Sequence, residues 1–220
     1  MRKTSSQTIY EKIKEDIIYL RRKPGEEINI LCLSEEENVS RSPIRDALIL
    51  LQSESLVDIF PQRGSCVSKI DLERVAEERL LRFSLENCVL DSYSKYIKNS
   101  DLAKIEYCIE LQKEALEKED DIGFYSADDE MHHIFYSGAS LERFWFLIQK
   151  ESGNYRRIRL LSLTSKESVE LNIKQHISLL NALKEKDFEK AHRVLHEHLS
   201  KLDCEEKEIV KRYPEYFKEK

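Results

Sequence analysis

The sequence predicts a mainly α-helical chain in two parts: helix, helix, turn, helix and β-hairpin over residues 1–70, then an all-α helical bundle over residues 71–220. Three observations predict it. Apolar residues recur at helical spacing along most of the chain. Only five Gly and four Pro occur in 220 residues, too few for a turn-rich β fold or long disordered linkers. Strand-like runs occur at one place, Leu56–Phe60 and Ser65–Ile70, joined by Pro61-Gln62-Arg63-Gly64 as a hairpin with a basic tip.

The elements follow in order. Ile9, Ile13, Ile17 and Leu20 set a helix over 5–21, which Lys23-Pro24-Gly25-Glu26 breaks into a turn. A short helix over 30–37 ends at Asn38, a residue that tolerates the left-handed conformation of a helix stop. Ser40 is placed to cap a helix over 41–54. Pro43 falls in its first turn without loss of a hydrogen bond, and Val39 and Ile44 are spaced as a hydrophobic staple. Beyond Asp71 the pattern gives helices near 71–97, 101–118, 120–137, 141–163, 166–185 and 187–212, with Asp71, Ser100 and Ser165 as caps and Pro214 as the stop.

Charge divides the two parts. Residues 1–70 carry 11 Lys+Arg against 11 Asp+Glu, and residues 71–220 carry 25 against 31, so the whole net charge of −6 lies in the second part. A neutral module joined to an acidic one suggests two tasks, and neutrality does not exclude nucleic acid where a few arginines are well placed. No apolar run of about 18 residues occurs, and the N-terminus lacks the apolar core of a secretory signal, so a cytoplasmic protein without a membrane span is expected. Five cysteines without CxxC spacing read as thiols in a reducing compartment.

Helix, helix, tight turn, helix, hairpin is the order of a winged helix-turn-helix. With Arg41 at 0° and about 100° per residue, Gln52 falls near 20°, Arg45 near 40°, Ile49 near 80° and Ser42 near 100°. Ile44, Ala47, Leu48 and Leu51 fall on the opposite, apolar arc. Arg41, Ser42 and Arg45 therefore stand at a helix N-terminus, whose free N–H groups and positive end suit phosphate. Arginine also grips guanine O6 and N7 through two bonds. Arg63 and Gly64 at the wing tip let a cation and bare backbone approach a groove.

Val39-Ser40-Arg41-Ser42-Pro43-Ile44-Arg45-Asp46-Ala47-Leu48 resembles the signature of GntR-family transcription regulators, with Pro24-Gly25-Glu26 and Gln62-Arg63-Gly64 similar to the family's upstream turn and wing. The resemblance covers roughly residues 8–70 and implies that Arg41, Ser42, Arg45, Arg63 and Gly64 contact double-stranded operator DNA. Leu31 departs from it, standing where some members carry a DNA-contacting Arg, and Asn38 replaces the usual Gly.

A second constellation lies in the acidic part. Asp129 and His133 are four apart on one helix face, His176 lies on the stripe Val169, Ile173, Ile177 and Leu180, and His198 flanks the stripe Ala191, Leu195, Leu199 and Leu202. His132 points about 100° away from His133 and is the weaker candidate; His192 and His196 read as surface groups. Three imidazoles and a carboxylate suit a divalent transition metal, Zn first, with Ni, Mn or Fe also fitting. Residues 74–205 resemble the helical effector domain of the FadR-type branch of the same family, through Arg82-x-x-Leu85-Glu86, Asp129-x-x-His132-His133, His176-x-x-Leu179-Leu180 and His198-Leu199. That resemblance implies a metal held by Asp129, His133, His176 and His198, a small carboxylate effector and a homodimer. Arg82 is the first candidate to receive the acid, followed by Arg156 and Arg159. The expectation is a repressor and not an enzyme. A metal-dependent hydrolase and a DNA-binding dimer with no effector are the alternatives.

Overall fold

A computed structural model describes residues 5–219, so the extreme ends of the two expected parts, residues 1–4 and 220, lie outside it. The first part comprises α1 (Ser5–Ile18), β1 (Glu27–Ile28), α2 (Ile30–Glu36), α3 (Arg41–Ser53), β2 (Val57–Phe60) and β3 (Gly64–Val67). Ile9, Ile13 and Ile17 of α1 meet Leu33, Ile44, Ala47, Leu48 and Leu51 over a sheet that contributes Val57 and Val67. The sheet is antiparallel in the order β1-β3-β2, with Phe60 opposite Gly64 at the wing tip. Strand β1, which pairs Glu27 with Cys66 and Ile28 with Ser65, has no counterpart in the expected elements, because two residues are too few to show alternation.

Local chemistry sets the helix ends. The Asn29 side chain accepts from the Leu31 and Cys32 N–H groups and starts α2. Asn38 closes it with a left-handed φ of 50°. Ser40 precedes α3 in an extended conformation, but its side chain makes no capping bond. The order at this turn comes instead from Ser34 Oγ, which donates to the Val39 carbonyl at 2.6 Å, while Val39 packs on the core near Ile44.

The second part is all helix among the described residues: α4 (Leu72–Tyr93), α5 (Asn99–Glu117), α6 (Asp121–Gly138), α7 (Glu142–Glu151), α8 (Gly153–Ser162), α9 (Lys166–Glu185), α10 (Phe188–Ser200) and α11 (Leu202–Arg212), followed by a 3-10 turn at Pro214–Tyr216. Asp71 caps α4 and Ser165 caps α9 as the sequence suggests, whereas α5 begins at Asn99 behind Lys98 without a side-chain cap. Two expected helices are split. The 187–212 helix is interrupted only slightly, at Lys201, where the dihedrals stay helical and the N–H bonds back three residues to His198. The 141–163 helix is broken outright at Ser152, with φ −113° and ψ 33°.

That break turns α8 onto the first part. A Cβ on Gly153 would stand 2.7 Å from Leu56 Cδ2, so any larger residue here must push the buried Leu56 side chain aside. Beside it, the fully buried Arg157 donates to the Ser68 carbonyl at 2.5 Å, the Gly153 carbonyl at 3.1 Å and Asn154 Oδ1 at 2.9 Å. Asn154 in turn donates to Glu78 of α4 and accepts from the Asp71 N–H. The C-terminal segment returns to the same junction, where the Ile70 N–H donates to Tyr216 and the Lys218 N–H to Ile70.

Candidate metal centre and nucleic-acid interface

On α3 the apolar arc is buried against α1, α2 and β2, and Arg41, Ser42, Arg45 and Asp46 are exposed. No ion pair engages Arg41, Arg45 or Arg63 among the described residues. Gln62 takes φ 62° and Gly64 φ 105°, left-handed conformations on either side of the exposed Arg63 at the wing tip. The guanidiniums are thus free, and those of Arg41 and Arg45 stand in the first two turns, at the positive end of a 13-residue helix.

In the helical part, four ligand-type residues converge: Asp128, His132, His176 and His198, with ligand atoms all within 4.8 Å of one another. His176 and His198, both expected as ligands, are two of these four. Asp129 and His133 do not join them, and the pair is corrected by one residue. Both pairs are spaced i,i+4, so that spacing cannot separate them. The deciding signal is the buried stripe of α6, Phe124, Met131 and Phe135, which carries Asp128 and His132 inward. His133 points outward, 2.7 Å from Glu142 Oε1 and stacked on Trp145. Asp129 accepts from Arg159 Nη1 at 3.0 Å, Gln149 Nε2 at 3.2 Å and Arg156 Nη2 at 3.5 Å.

Each histidine of the cluster is held by Nδ1. His132 donates to Glu86 at 2.8 Å, His176 to the Gln112 side-chain carbonyl at 2.7 Å and His198 to that of Gln175 at 3.1 Å. These bonds fix the tautomer and leave three Nε2 lone pairs facing inward. The Nε2 atom of His198 lies 3.2 Å from that of His132 and 3.4 Å from that of His176. Asp128 Oδ1 lies 3.3 Å from His176 Nε2. Ligands at 2.0–2.1 Å in a tetrahedral arrangement are separated by about 3.3–3.4 Å, so these spacings fit a cation of zinc's size. Lone pairs this close repel unless a cation lies between them, and burial disfavours a proton on two of the three rings: it pushes His176 down to about 3 and His198 well below its ordinary value. The residues present therefore fit a divalent transition metal.

The carboxylates around the cluster stay ionised despite burial. Desolvation would raise Asp128, but Arg159 and the histidines hold it far below the usual range. Desolvation would also raise Glu86, which Arg82 and His132 bring down to about 2. Arg82 Nε donates to Glu86 at 2.7 Å, so this arginine stands behind His132, with Nη2 buried and unpartnered. Arg159 is closer to the centre. It bonds Asp128 and Asp129 and lines a cavity of about 30 Å³ with Asn172, His198 and Lys201. Arg156 reaches Tyr125 and Asp129 instead. A wider groove of about 540 Å³ between α5 and α6 holds none of the four ligands. Glu86, Gln112, Gln175 and Arg157 were absent from the expected site. For Glu86 a signal existed, four residues after Arg82; the two glutamines carry none, because they come from other helices.

A DNA-reading head joined to a helical bundle defines a DNA-binding transcription regulator. The models of the gntR family of bacterial regulatory proteins and of the FCD domain match residues 5–67 and 80–201. The chain belongs to the GntR family, in the branch with an FCD effector domain, and is a DNA-binding transcription regulator and not an enzyme. The hydrolase alternative is thereby set aside. The chain is 28% identical over 214 residues to the HTH-type transcriptional repressor RspR of Escherichia coli K12, covering 97% of this chain and 94% of that protein. It is 27% identical over 216 residues to an HTH-type regulator of Streptomyces ambofaciens, covering 98% and 90%. The fold superposes on E. coli McbR/YncC with a TM-score of 0.81 at 20% identity, covering 96% and 100%, and on a GntR regulator of Rhodococcus sp. RHA1 with 0.79 at 20%, covering 94% and 98%.

Proposed function

We propose that the chain is a cytoplasmic repressor whose homodimer holds near-palindromic operator DNA and releases it when a small carboxylic acid binds at a transition-metal centre. In this reading the parts divide near residue 70, and Arg41, Ser42, Arg45, Arg63 and Gly64 meet DNA. Asp128, His132, His176 and His198 hold the metal, Zn first, with Ni, Mn or Fe also suited. The observation that carries the reading is the convergence of three Nδ1-anchored histidines and one carboxylate in the bundle interior. The name of the RspR relative supports repression as the sign.

The metal supplies a Lewis-acidic point that an acid's carboxylate can join, and Arg159, Lys201 and Asn172 offer further polar contacts beside it. The cavity there is the size of one water, so an organic acid must displace its walls to enter. One wall leads to the head. Tyr125 accepts from Arg156 at 3.2 Å and Arg159 at 3.3 Å, and Tyr19, just beyond α1, meets its ring edge-on at 5.9 Å. An acid that draws Arg159 away from Asp128 loosens the Tyr125 seat on which the head rests. The change in operator affinity equals the acid's differential affinity for the two states.

The test uses the full chain. Elemental analysis should find about one metal per chain at a site of this ligand type. Small carboxylic acids should raise Tm in metal-loaded protein and not after chelation, and the same acids should weaken DNA binding. Metal-free protein after incubation with Zn or Ni would end the proposal. The water-sized cavity favours one second reading, a DNA-binding dimer without effector; it predicts that no acid shifts Tm even in metal-loaded protein.

A further inference from the structure

Two α3 aliphatics are exposed, Ile49 by 57% and Leu50 by 48%, whereas Ile44, Leu48 and Leu51 are no more than 1% exposed; of the two, Ile49 lies on the arc of Arg41, Ser42 and Arg45, and Leu50 falls about 100° away from it. A large aliphatic left in water costs free energy unless something covers it. Its position says what. At about 100° per residue Ile49 lies between Arg45 and Ser42 on the outward arc, two turns into the helix. Ser42, Arg45, Asp46 and Ile49 stand at i, i+3, i+4 and i+7, the spacing by which a helix lying in the major groove presents four side chains to base edges. All four face away from the core, and the cations on the same arc of the helix, Arg41 and Arg45, are unpaired among the described residues. The surroundings of Ile49 are thus complementary to a polyanion and not to an apolar protein surface.

We propose that Ile49 reads a thymine C5-methyl in the major groove and so sets base preference at one position in each operator half-site. The thymine methyl is the one apolar group that base pairs display there, and an aliphatic side chain is its partner in direct readout. Arg45 specifies by hydrogen bonding, Asp46 stands where it can accept from a cytosine amino group, and Ile49 specifies by burying a methyl. The inference rests on the DNA-reading face described above and adds a residue to it.

The test selects duplexes from a random pool with the full-length protein, then replaces thymines in the selected site one at a time by uracil, which lacks only the methyl. One position per half-site should show uracil weakening binding by about fourfold, the burial of one methyl group. Ile49→Ala should bind both forms equally at that position while keeping its preferences elsewhere, and its Tm should stay unchanged, because alanine is a good helix former at an exposed site. Retention of the thymine-over-uracil preference by Ile49→Ala would overturn the proposal, as would uracil being harmless at every position in the parent protein. Absence of any salt-dependent duplex binding by the parent would remove the DNA-reading face itself and this proposal with it.

Discussion

Arg41 and Arg45 on the reading head carry the same guanidinium as Arg82, Arg157 and Arg159 in the helical half, in opposite surroundings. The first two stand in water at a helix N-terminus without a protein partner among the described residues. The other three are withdrawn from water and bonded to carboxylates or backbone carbonyls. A buried charge bonded to fixed partners holds geometry, and removing it leaves those partners stranded. A solvated, unpaired charge fixes nothing in the fold and stays available to phosphate and guanine. Substitutions should therefore split cleanly, into those that unfold or empty the helical half and those that silence the head while leaving stability untouched.

The largest effect belongs to the metal cluster. His132→Ala and Asp128→Ala should lose nearly all bound metal, and with it about 4 kcal/mol of stabilisation when free metal stands a thousandfold above its Kd. Asp129→Asn and His133→Ala should keep the metal. Elemental analysis of the four variants reads this directly. Metal retained by His132→Ala but lost from His133→Ala would reverse the assignment.

Next comes the junction. Arg157→Leu removes the donor from the Ser68 and Gly153 carbonyls and from Asn154, and takes away a cation that offsets the burial of Glu78. A loss of about 3 kcal/mol is expected from urea unfolding. Arg45→Ala, by contrast, should stay within about 0.5 kcal/mol of the parent, as exposed substitutions do. An equal loss in both variants would erase the distinction between the two kinds of arginine.

Arg45→Ala should show itself on DNA. Removal of one bidentate contact costs about 2 kcal/mol of discrimination for its base pair. The affinity for unrelated duplex should fall much less, and the slope of affinity against salt should shrink only slightly. Titrations of specific and random duplex at two salt concentrations separate these outcomes. Uniform weakening on both duplexes would make Arg45 a phosphate contact alone.

These contrasts also explain what could be read from the chain and what could not. The head is legible because its signals are local: one stapled helix with an apolar arc, and one Pro/Gly-bounded hairpin. Strand β1 is not, since two residues acquire strand geometry only by pairing with β3. In the helical half, His176 and His198 were legible because each sits on or beside an unambiguous apolar stripe. Spacing alone points to Asp129 and His133 as readily as to Asp128 and His132, the pair that the structure brings beside His176 and His198, because the two i,i+4 pairs are offset by one residue. The flanking aromatics Phe124 and Phe135 would have decided between them. The break at Ser152 escaped notice for a different reason. Periodicity runs through it, and the demand for Gly153 comes from Leu56, nearly a hundred residues earlier. Contacts between distant segments leave no trace in spacing.

The smallest expected effect tests whether the two regions speak to each other. Tyr19 touches the helical half through its ring, edge-on to Tyr125, and through its hydroxyl, 3.3 Å from Ser126 Oγ. Tyr125 in turn is held by the arginines that grip Asp128 and Asp129. Tyr19→Leu deletes the aromatic contact, worth about 1 kcal/mol. The ratio of DNA affinities between metal-loaded and chelator-treated protein should move about fivefold toward unity, because coupling cannot exceed what the connecting contact carries. Tyr19→Phe keeps the ring and should leave the ratio near that of the parent. If Tyr19→Leu left the ratio unchanged, the signal would have to run through Arg157 and Ser68 instead, and the two faces of α8 would exchange roles.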